Sequence, residues 1–98
     1  MRLYTYIFKN TKTGEYKVGR SYNIASRLSV LQSNNPHKIT LIKATRATSK
    51  SEKEVLKALK AYNIRGEWFK ADKFVNGYIA ALTDDYRADQ TVISGFIK

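Results

Sequence analysis

Hydrophobic residues in the first twenty positions fall into two short runs separated by turn-forming residues. Residues 3–9 and 15–20 are rich in aromatic and β-branched side chains, and residues 10–14, Asn-Thr-Lys-Thr-Gly, have turn chemistry. The pattern predicts a β-hairpin. A loop of two or four residues places Tyr6 and Lys17 on one face of the hairpin, whereas a loop of three separates them. Gly14 favours four residues, because it supplies a positive φ at the last loop position.

Farther along the chain, apolar residues recur at helical spacing in three segments. The first helix is predicted to follow Asn23, which can cap it, and to end before residues 34–36, Asn-Asn-Pro. The second is predicted to begin at Thr48 or Ser49 and to be closed by Asn63 and Gly66. The three stripes are Ile24, Leu28 and Leu31; then Val55, Leu56, Leu59 and Tyr62; then Phe74, Val75, Tyr78, Ile79 and Leu82.

Residues 39–45 predict a third strand and residues 67–69 a short additional one. The order is ββαβα followed by βα, which predicts an α/β (α+β) domain with a three-stranded, mainly antiparallel sheet flanked by helices. We expect residues 1–70 to form the core and residues 71–98 to form a C-terminal helical extension of the same domain. That extension could cover the sheet or make a dimer contact.

Composition narrows the function classes. The 98 residues suffice for one domain, and the absence of cysteine excludes disulfides, thiolate nucleophiles and zinc fingers. The single histidine, His37, stands beside Pro36 in a predicted loop, so a site with several histidine ligands is excluded. No apolar run has the length of a membrane span or a signal peptide. We expect a cytoplasmic protein that does not bind membranes, located in the host cytoplasm if it is phage-encoded.

The net charge of +10 is distributed unevenly along the chain. Residues 1–50 contain ten basic residues and a single acid, Glu15, for a net charge of +9, whereas residues 51–98 carry only +1. Such a field favours nucleic acid as the partner, although a basic surface that serves only solubility is the alternative. The residues predicted to contact nucleic acid are Lys9, Lys12, Arg20, Lys38, Lys43 and Arg46.

Two charged residues fall on stripes that otherwise face the core. Arg27 lies within the stripe of the first helix, and Glu52 precedes Val55 and Leu56 by three and four residues on the second. Together with Tyr6 and Lys17 they suggest one shared polar site, since unpaired buried ions are costly. Two alternatives remain open. Arg27 could extend its stem along the apolar surface, and Glu52 could complete a capping box with Ser49.

These residues resemble the motifs of the GIY-YIG nuclease superfamily. The run Tyr-Thr-Tyr-Ile-Phe-Lys-Asn at residues 4–10, the run Tyr-Lys-Val-Gly at residues 16–19, and Arg27 eight residues after Gly19 match in order and spacing. Residues 66–69, Gly-Glu-Trp-Phe, resemble a box of the phage and bacterial branch whose second motif reads Tyr-Lys-Ile-Gly. The resemblance covers about residues 3–70.

The resemblance implies a small metal-dependent DNA endonuclease that hydrolyses phosphodiester bonds. By similarity, Tyr6 helps to activate the attacking water, Lys17 replaces the second-motif tyrosine, Arg27 contacts the scissile phosphate and Glu52 holds one divalent cation, Mg²⁺ or Mn²⁺. We expect Lys17 to lower the pKa of the Tyr6 phenol. Glu67 is a second carboxylate candidate. No separate recognition domain is evident, so we expect duplex or branched DNA to be bound with low sequence specificity, unless a protein partner supplies it.

Departures from the motifs support an alternative function. The first motif reads Tyr-Thr-Tyr at residues 4–6 instead of Gly-Ile-Tyr, and Leu31 and Leu56 stand where several relatives carry histidine. The alternative is a catalytically inactive protein of this fold that binds nucleic acid or inhibits a nuclease partner. Trp68 and Phe69 are interpreted as core residues.

Overall fold

The computed structural model describes residues 1–90 and consists of one antiparallel sheet with helices on both faces. The sheet has the strand order β3-β1-β2-β5-β4, and every paired neighbour is antiparallel. The α+β class predicted from the sequence is confirmed. Along the chain the elements are β1 (Tyr4–Asn10), β2 (Tyr16–Ser21), α1 (Ile24–Ser33), β3 (Ile39–Arg46), α2 (Glu52–Ala58), a 3₁₀ turn (Lys60–Tyr62), β4 (Asn63–Arg65), β5 (Trp68–Phe69) and α3 (Lys73–Ala80).

The first hairpin has the predicted four-residue loop. The backbone N–H of Asn10 donates to the carbonyl of Glu15 at 2.9 Å, and Gly14 closes the loop with φ of 81°. Strand pairing sets Tyr6 opposite Gly19 and Phe8 opposite Lys17. Because alternate residues of a strand share a face, Tyr6 and Lys17 project from the same side of the sheet.

The sheet has five strands where three were predicted. The polypeptide between α2 and α3 forms a second small hairpin, β4–β5, which turns at Gly66 with φ of 49°. Residues 63–65 were assigned to the end of the second helix, so this strand was missed. β5 pairs with β2 only at Tyr16 and Lys17, so the C-terminal end of β2 is open to neighbouring side chains.

Each of the three helices α1, α2 and α3 follows a residue whose side chain caps it, and the cap of α2 differs from the prediction. The Asn23 side chain accepts a hydrogen bond from the Ser26 backbone N–H at 3.0 Å, which confirms the predicted start of α1. α2 begins after Ser51 and not at Thr48 or Ser49, and it ends at Ala58, before Asn63 and Gly66. Its capping box joins Ser51 to Glu54, so the alternative of a box between Ser49 and Glu52 is wrong.

Both faces of the sheet are buried, by different helices. α2 and α3 cover one face, whose buried cluster includes Ile7, Val18, Val55, Leu59, Phe69, Val75 and Ile79. α1 covers the other, where the cluster comprises Tyr4, Tyr6, Phe8, Ile24, Ile39 and Ala44. Of the α1 residues only Ile24 is fully buried, since Leu28 and Leu31 are half-buried. The face of α1 that follows Ile24 therefore borders open space over the sheet.

The C-terminal extension covers the edge of the sheet at β3. The Asp85 carboxylate accepts a hydrogen bond from the Arg46 backbone N–H at 2.8 Å, and that of Asp84 accepts one from Ala44 at 3.4 Å. These carboxylates satisfy N–H groups that an edge strand otherwise exposes. The chain is helical over residues 85–90, and the last eight residues of the predicted extension lie outside the described range. No helix within residues 1–90 is long and apolar enough to cross a membrane.

Candidate functional site

A cleft of about 350 Å³ opens on the α1 face of the sheet. Separate segments of the chain contribute to it, namely β1, β2, α1, the first residue of α2 and the turn before β5. The structure thus brings together the tyrosine, lysine, arginine and glutamate that the sequence predicted to converge. The cleft is lined by Tyr6, Lys17, Gly19, Arg20, Arg27, Val30, Leu31, Asn34, Glu52 and Glu67.

The Tyr6 side chain is held by close packing on both sides. Its ring stacks on Phe8 with 4.2 Å between centroids, and the residue is only 4% exposed. A Cβ atom at Gly19 would lie 2.2 Å from the Tyr6 hydroxyl oxygen, so any other residue at position 19 would displace the phenol. Within residues 1–90 the hydroxyl has no hydrogen-bond partner, which leaves it available to a group in the cleft.

Electrostatics keep the Tyr6 phenol protonated. Burial raises its pKa above the ordinary value, and the negative charges of Glu67 and Glu52 raise it further, while the Arg27 guanidinium opposes the shift. The expectation that Lys17 lowers this pKa is therefore wrong for the ligand-free protein. The Lys17 ammonium is instead paired with Glu67, with 2.7 Å from Nζ to Oε1.

Two carboxylates, Glu52 and Glu67, approach each other in the cleft. Burial raises the pKa of Glu52, and the charge and hydrogen bonding of Glu67 raise it further. Arg20 and Lys17 oppose the shift, and the Arg20 Nε lies 3.8 Å from Glu52 Oε1. Glu52 does not cap its helix, since Glu54 does. Burial and the neighbouring Glu67 carboxylate thus outweigh the two cations in setting the direction of the Glu52 pKa.

The donor set of the cleft fits a hard divalent cation. Carboxylate oxygens are the ligands that Mg²⁺ and Mn²⁺ prefer, and a second carboxylate nearby strengthens the local negative field. Within residues 1–90 no group of three or more histidine, cysteine, aspartate or glutamate side chains could hold a metal. The protein can thus supply one or two carboxylates, which suits Mg²⁺ bound mainly through water and phosphate oxygens.

Arg27 is exposed at the rim of the cleft and is not buried in the α1 stripe. The sequence pattern placed it among core residues, but α1 packs on the sheet chiefly through Ile24, so the next turn faces the cleft. No carboxylate lies within ion-pair distance of its guanidinium among the described residues. Its charge acts on the Tyr6 pKa and is available to an anion.

The six residues predicted to contact nucleic acid are dispersed over the surface. Only Arg20 lines the cleft. Lys12 and Lys38 are exposed in adjoining loops, and the Lys9 ammonium lies 5.4 Å from the centroid of the Tyr16 ring.

Lys43 and Arg46 hold the C-terminal extension in place. The Lys43 ammonium donates to the carbonyl oxygens of Leu82 at 2.8 Å and Ala80 at 3.2 Å, at the end of α3. The Arg46 guanidinium donates to Asp89 at 2.8 Å. Both basic groups therefore have a structural role, and neither lies in the cleft.

Sequence reasoning missed Val30 and Asn34, which line the cleft from the last turns of α1. It also missed the pairing of Glu67 with Lys17, two residues that lie fifty positions apart. Leu31 also lines the cleft. A histidine at position 31 would have indicated from the sequence that this turn of α1 belongs to the site.

Comparison with known proteins identifies the family. The family model of the T5orf172 domain matches residues 3–87, from the approach to β1 through α3 and into the final helical segment. Searches of curated proteins and of solved structures gave no significant match. Because the matched range covers most of the chain and every residue of the cleft, the protein belongs to the T5orf172 domain family, a nuclease-related family.

Proposed function

We propose that this protein is a GIY-YIG-type DNA endonuclease that hydrolyses phosphodiester bonds with one divalent cation, Mg²⁺ or Mn²⁺. The observation that carries the proposal is the convergence of Tyr6, Lys17, Arg27 and Glu52 in one cleft. A carboxylate that can hold a metal, cationic groups that can bind a phosphate and a hydroxyl that can position water suit metal-assisted attack of water on a phosphate. Membership of a nuclease-related family supports the same reading.

Glu52 and Glu67 are the residues that would hold the cation. When bound, a divalent cation polarises a phosphate oxygen and makes a coordinated water more acidic. Arg27, exposed at the rim and without a carboxylate partner in the described chain, binds the scissile phosphate and balances the charge that develops on it. Arg27, together with a cation held by Glu52, would bind the phosphate in the cleft that Tyr6 lines.

Tyr6 positions the attacking water through its hydroxyl. In the ligand-free protein its raised pKa keeps the phenol neutral at pH 7. Part of that shift comes from the charges of Glu52 and Glu67, so a cation held there would lower the pKa. A larger fraction of the phenol would then lose its proton to solvent, and the resulting phenolate would accept the proton of the attacking water. Lys17, paired with Glu67, holds that carboxylate in place.

A specific observation favours the second candidate, a catalytically inactive nucleic-acid-binding protein. Leu31 lines the cleft where several relatives carry histidine, and the ammonium of Lys17 is already paired. With neither a histidine nor a free lysine beside Tyr6, proton transfer depends on the phenol alone.

The deciding experiment incubates purified protein with supercoiled plasmid and with branched DNA, in Mg²⁺, in Mn²⁺ and in EDTA. We expect nicking or cleavage with either metal and none in EDTA. Protein that retards DNA in a gel but leaves plasmid, nicked, single-stranded and branched substrates intact in both metals would establish the inactive binder instead.

A further inference from the structure

The acids of the second half of the chain neutralise many bases of the first half. Ion pairs at 4 Å or less join groups from the two halves, so the +9 charge of residues 1–50 is partly cancelled once the chain is folded. These pairs are Lys17 with Glu67, Arg20 with Glu52, Lys50 with Glu54, and both Arg2 and Arg46 with Asp89. Charge counted along the sequence therefore overstates the positive charge that the first half presents in the folded protein.

Three lysines of the second half of the chain have no acidic partner in the described range. Lys53, Lys57 and Lys60 are all exposed, and no acidic group within residues 1–90 lies at ion-pair distance from them. Spacings of four and three residues place them in one row along α2 and the 3₁₀ turn that follows. The row extends roughly 10 Å, about the rise of three nucleotides along one DNA strand.

The lysine row borders a groove of about 640 Å³ that also contains Leu56, Phe69 and the turn at Gly66. Glu67 lines both this groove and the cleft that contains Tyr6 and Glu52. The groove and the cleft therefore adjoin at Glu67. A chain of phosphates that enters the cleft has a positively charged path leading away from it along α2.

We propose that Lys53, Lys57 and Lys60 bind the phosphates of a DNA strand whose scissile bond lies in the cleft. This row, which we call the α2 ridge, supplies more of the salt-dependent affinity than Lys9, Lys12 and Lys38 of the N-terminal half. The inference rests on the proposed nuclease function, because that function determines what occupies the cleft. DNA is favoured over an acidic protein because the groove is continuous with the cleft, where Arg27 can bind a phosphate.

The test compares two triple variants with the same loss of charge, K53Q/K57Q/K60Q and K9Q/K12Q/K38Q. Binding to a fluorescein-labelled DNA duplex is measured by anisotropy over a range of salt concentrations in EDTA, where no cleavage occurs. Each phosphate contact contributes about 0.9 to the magnitude of the slope of log affinity against log salt. The α2 ridge variant should therefore have a slope smaller in magnitude by about 2–3, and an affinity lower by about tenfold or more. The N-terminal variant should lose less than about 1 of slope.

Single substitutions protect the test against misfolding. Glutamine keeps most of the helix propensity of lysine, and Lys57→Gln alone should reduce the slope by about 0.9. Circular dichroism confirms that each variant is folded. Equal losses in the two triple variants, or an unchanged slope in the ridge variant, would overturn the proposal. Unchanged DNA affinity with lost binding to a polyglutamate peptide would assign the ridge to an acidic protein and overturn it as well.

The experiments distinguish a wrong proposal about the α2 ridge from a wrong proposal about endonuclease activity. Wild-type protein that cleaves plasmid while its DNA affinity is independent of the ridge refutes the ridge alone. Wild-type protein whose binding depends on the ridge but which never cleaves DNA supports the ridge and refutes the endonuclease.

Discussion

Two polar clusters lie on the same face of the sheet, and each is built around a tyrosine of β1. The cleft cluster contains Tyr6, and the Asp89 cluster contains Tyr4, Arg2, Arg46 and Asp89. In the latter, the Tyr4 hydroxyl donates to Asp89, and both arginines lie 2.8 Å from the same carboxylate. The Arg46 hydrogen bond, followed by that of Tyr4, holds the pKa of Asp89 well below its usual range.

The direction of the carboxylate pKa distinguishes the two clusters. In the Asp89 cluster two cations share one acid, so its charge is fully satisfied and the group holds the C-terminal segment to the sheet. In the cleft two acids face each other and the Glu52 pKa is raised. The Asp89 cluster therefore has a structural role, whereas a site in which two carboxylates lie close together is suited to bind a cation. The predictions below test this distinction.

The largest effect is expected from Glu52→Gln. The substitution removes the charge but preserves the shape, so we expect loss of metal-dependent cleavage, by at least about a hundredfold. Without DNA, Mg²⁺ should raise the melting temperature of the wild-type protein, because a bound cation relieves the repulsion between Glu52 and Glu67, and the variant should lose this effect.

Glu54→Gln is the matched control for that experiment, because Glu54 lies on the same helix and its carboxylate caps it. It should retain cleavage and the stabilisation by Mg²⁺. If Glu52→Gln cleaves DNA in Mg²⁺ at the wild-type rate, the ligand assignment is wrong and Glu67 becomes the first alternative.

Arg27→Ala should reduce cleavage by about a hundredfold or more while DNA affinity changes little, since its charge acts mainly on the transition state. Tyr6→Phe should behave in the same way. Single-turnover rates at saturating DNA, together with binding in EDTA, separate the two quantities. A loss of affinity in Arg27→Ala that fully accounts for the lost rate would indicate a binding role only.

Gly19→Ala tests the close approach that holds Tyr6 in the cleft. The added Cβ would overlap the Tyr6 phenol, so we expect a loss of about 1–3 kcal/mol in the free energy of unfolding and reduced cleavage. Gly77→Ala is the control, because nothing lies within 4 Å of a Cβ at that helical position. Equal stability of Gly19→Ala and wild type would show that Tyr6 moves without cost.

The smallest effect on activity is expected from Asp89→Asn. We predict cleavage within about twofold of wild type, because Asp89 lies outside the cleft, and a lower melting temperature from the lost ion pairs.

The Asp89 carboxylate also makes the stability of the wild-type protein depend on pH. The folded-state pKa of Asp89 is depressed, so its stabilising contribution is complete above the unfolded pKa of about 4 and is lost as pH falls below that value. Thermal melts between neutral and acidic pH should show a smaller decline for Asp89→Asn than for wild type. Identical profiles would contradict the structural role of this cluster.

Much of the fold follows from patterns within a few residues. Gly14 determines the four-residue loop and hence the shared face of Tyr6 and Lys17, and Asn23 determines the start of α1. The start of α2 was placed too early because Thr48, Ser49 and Ser51 are equivalent as caps in sequence. In the structure Ser51 is the cap and Glu54 completes its capping box, although Ser49 has Glu52 at the same spacing.

The sequence by itself determined which chemical groups the protein has, their order, and the faces of the strands that carry them, because turns, caps and periodicities act over short distances. Only the tertiary structure decided which charges cancel. Lys17 meets Glu67 and Arg46 meets Asp89 across more than forty residues, while Lys53 and Lys57 remain unpaired within the described range. Coulomb attraction depends on distance in space, and packing of the sheet and helices sets that distance.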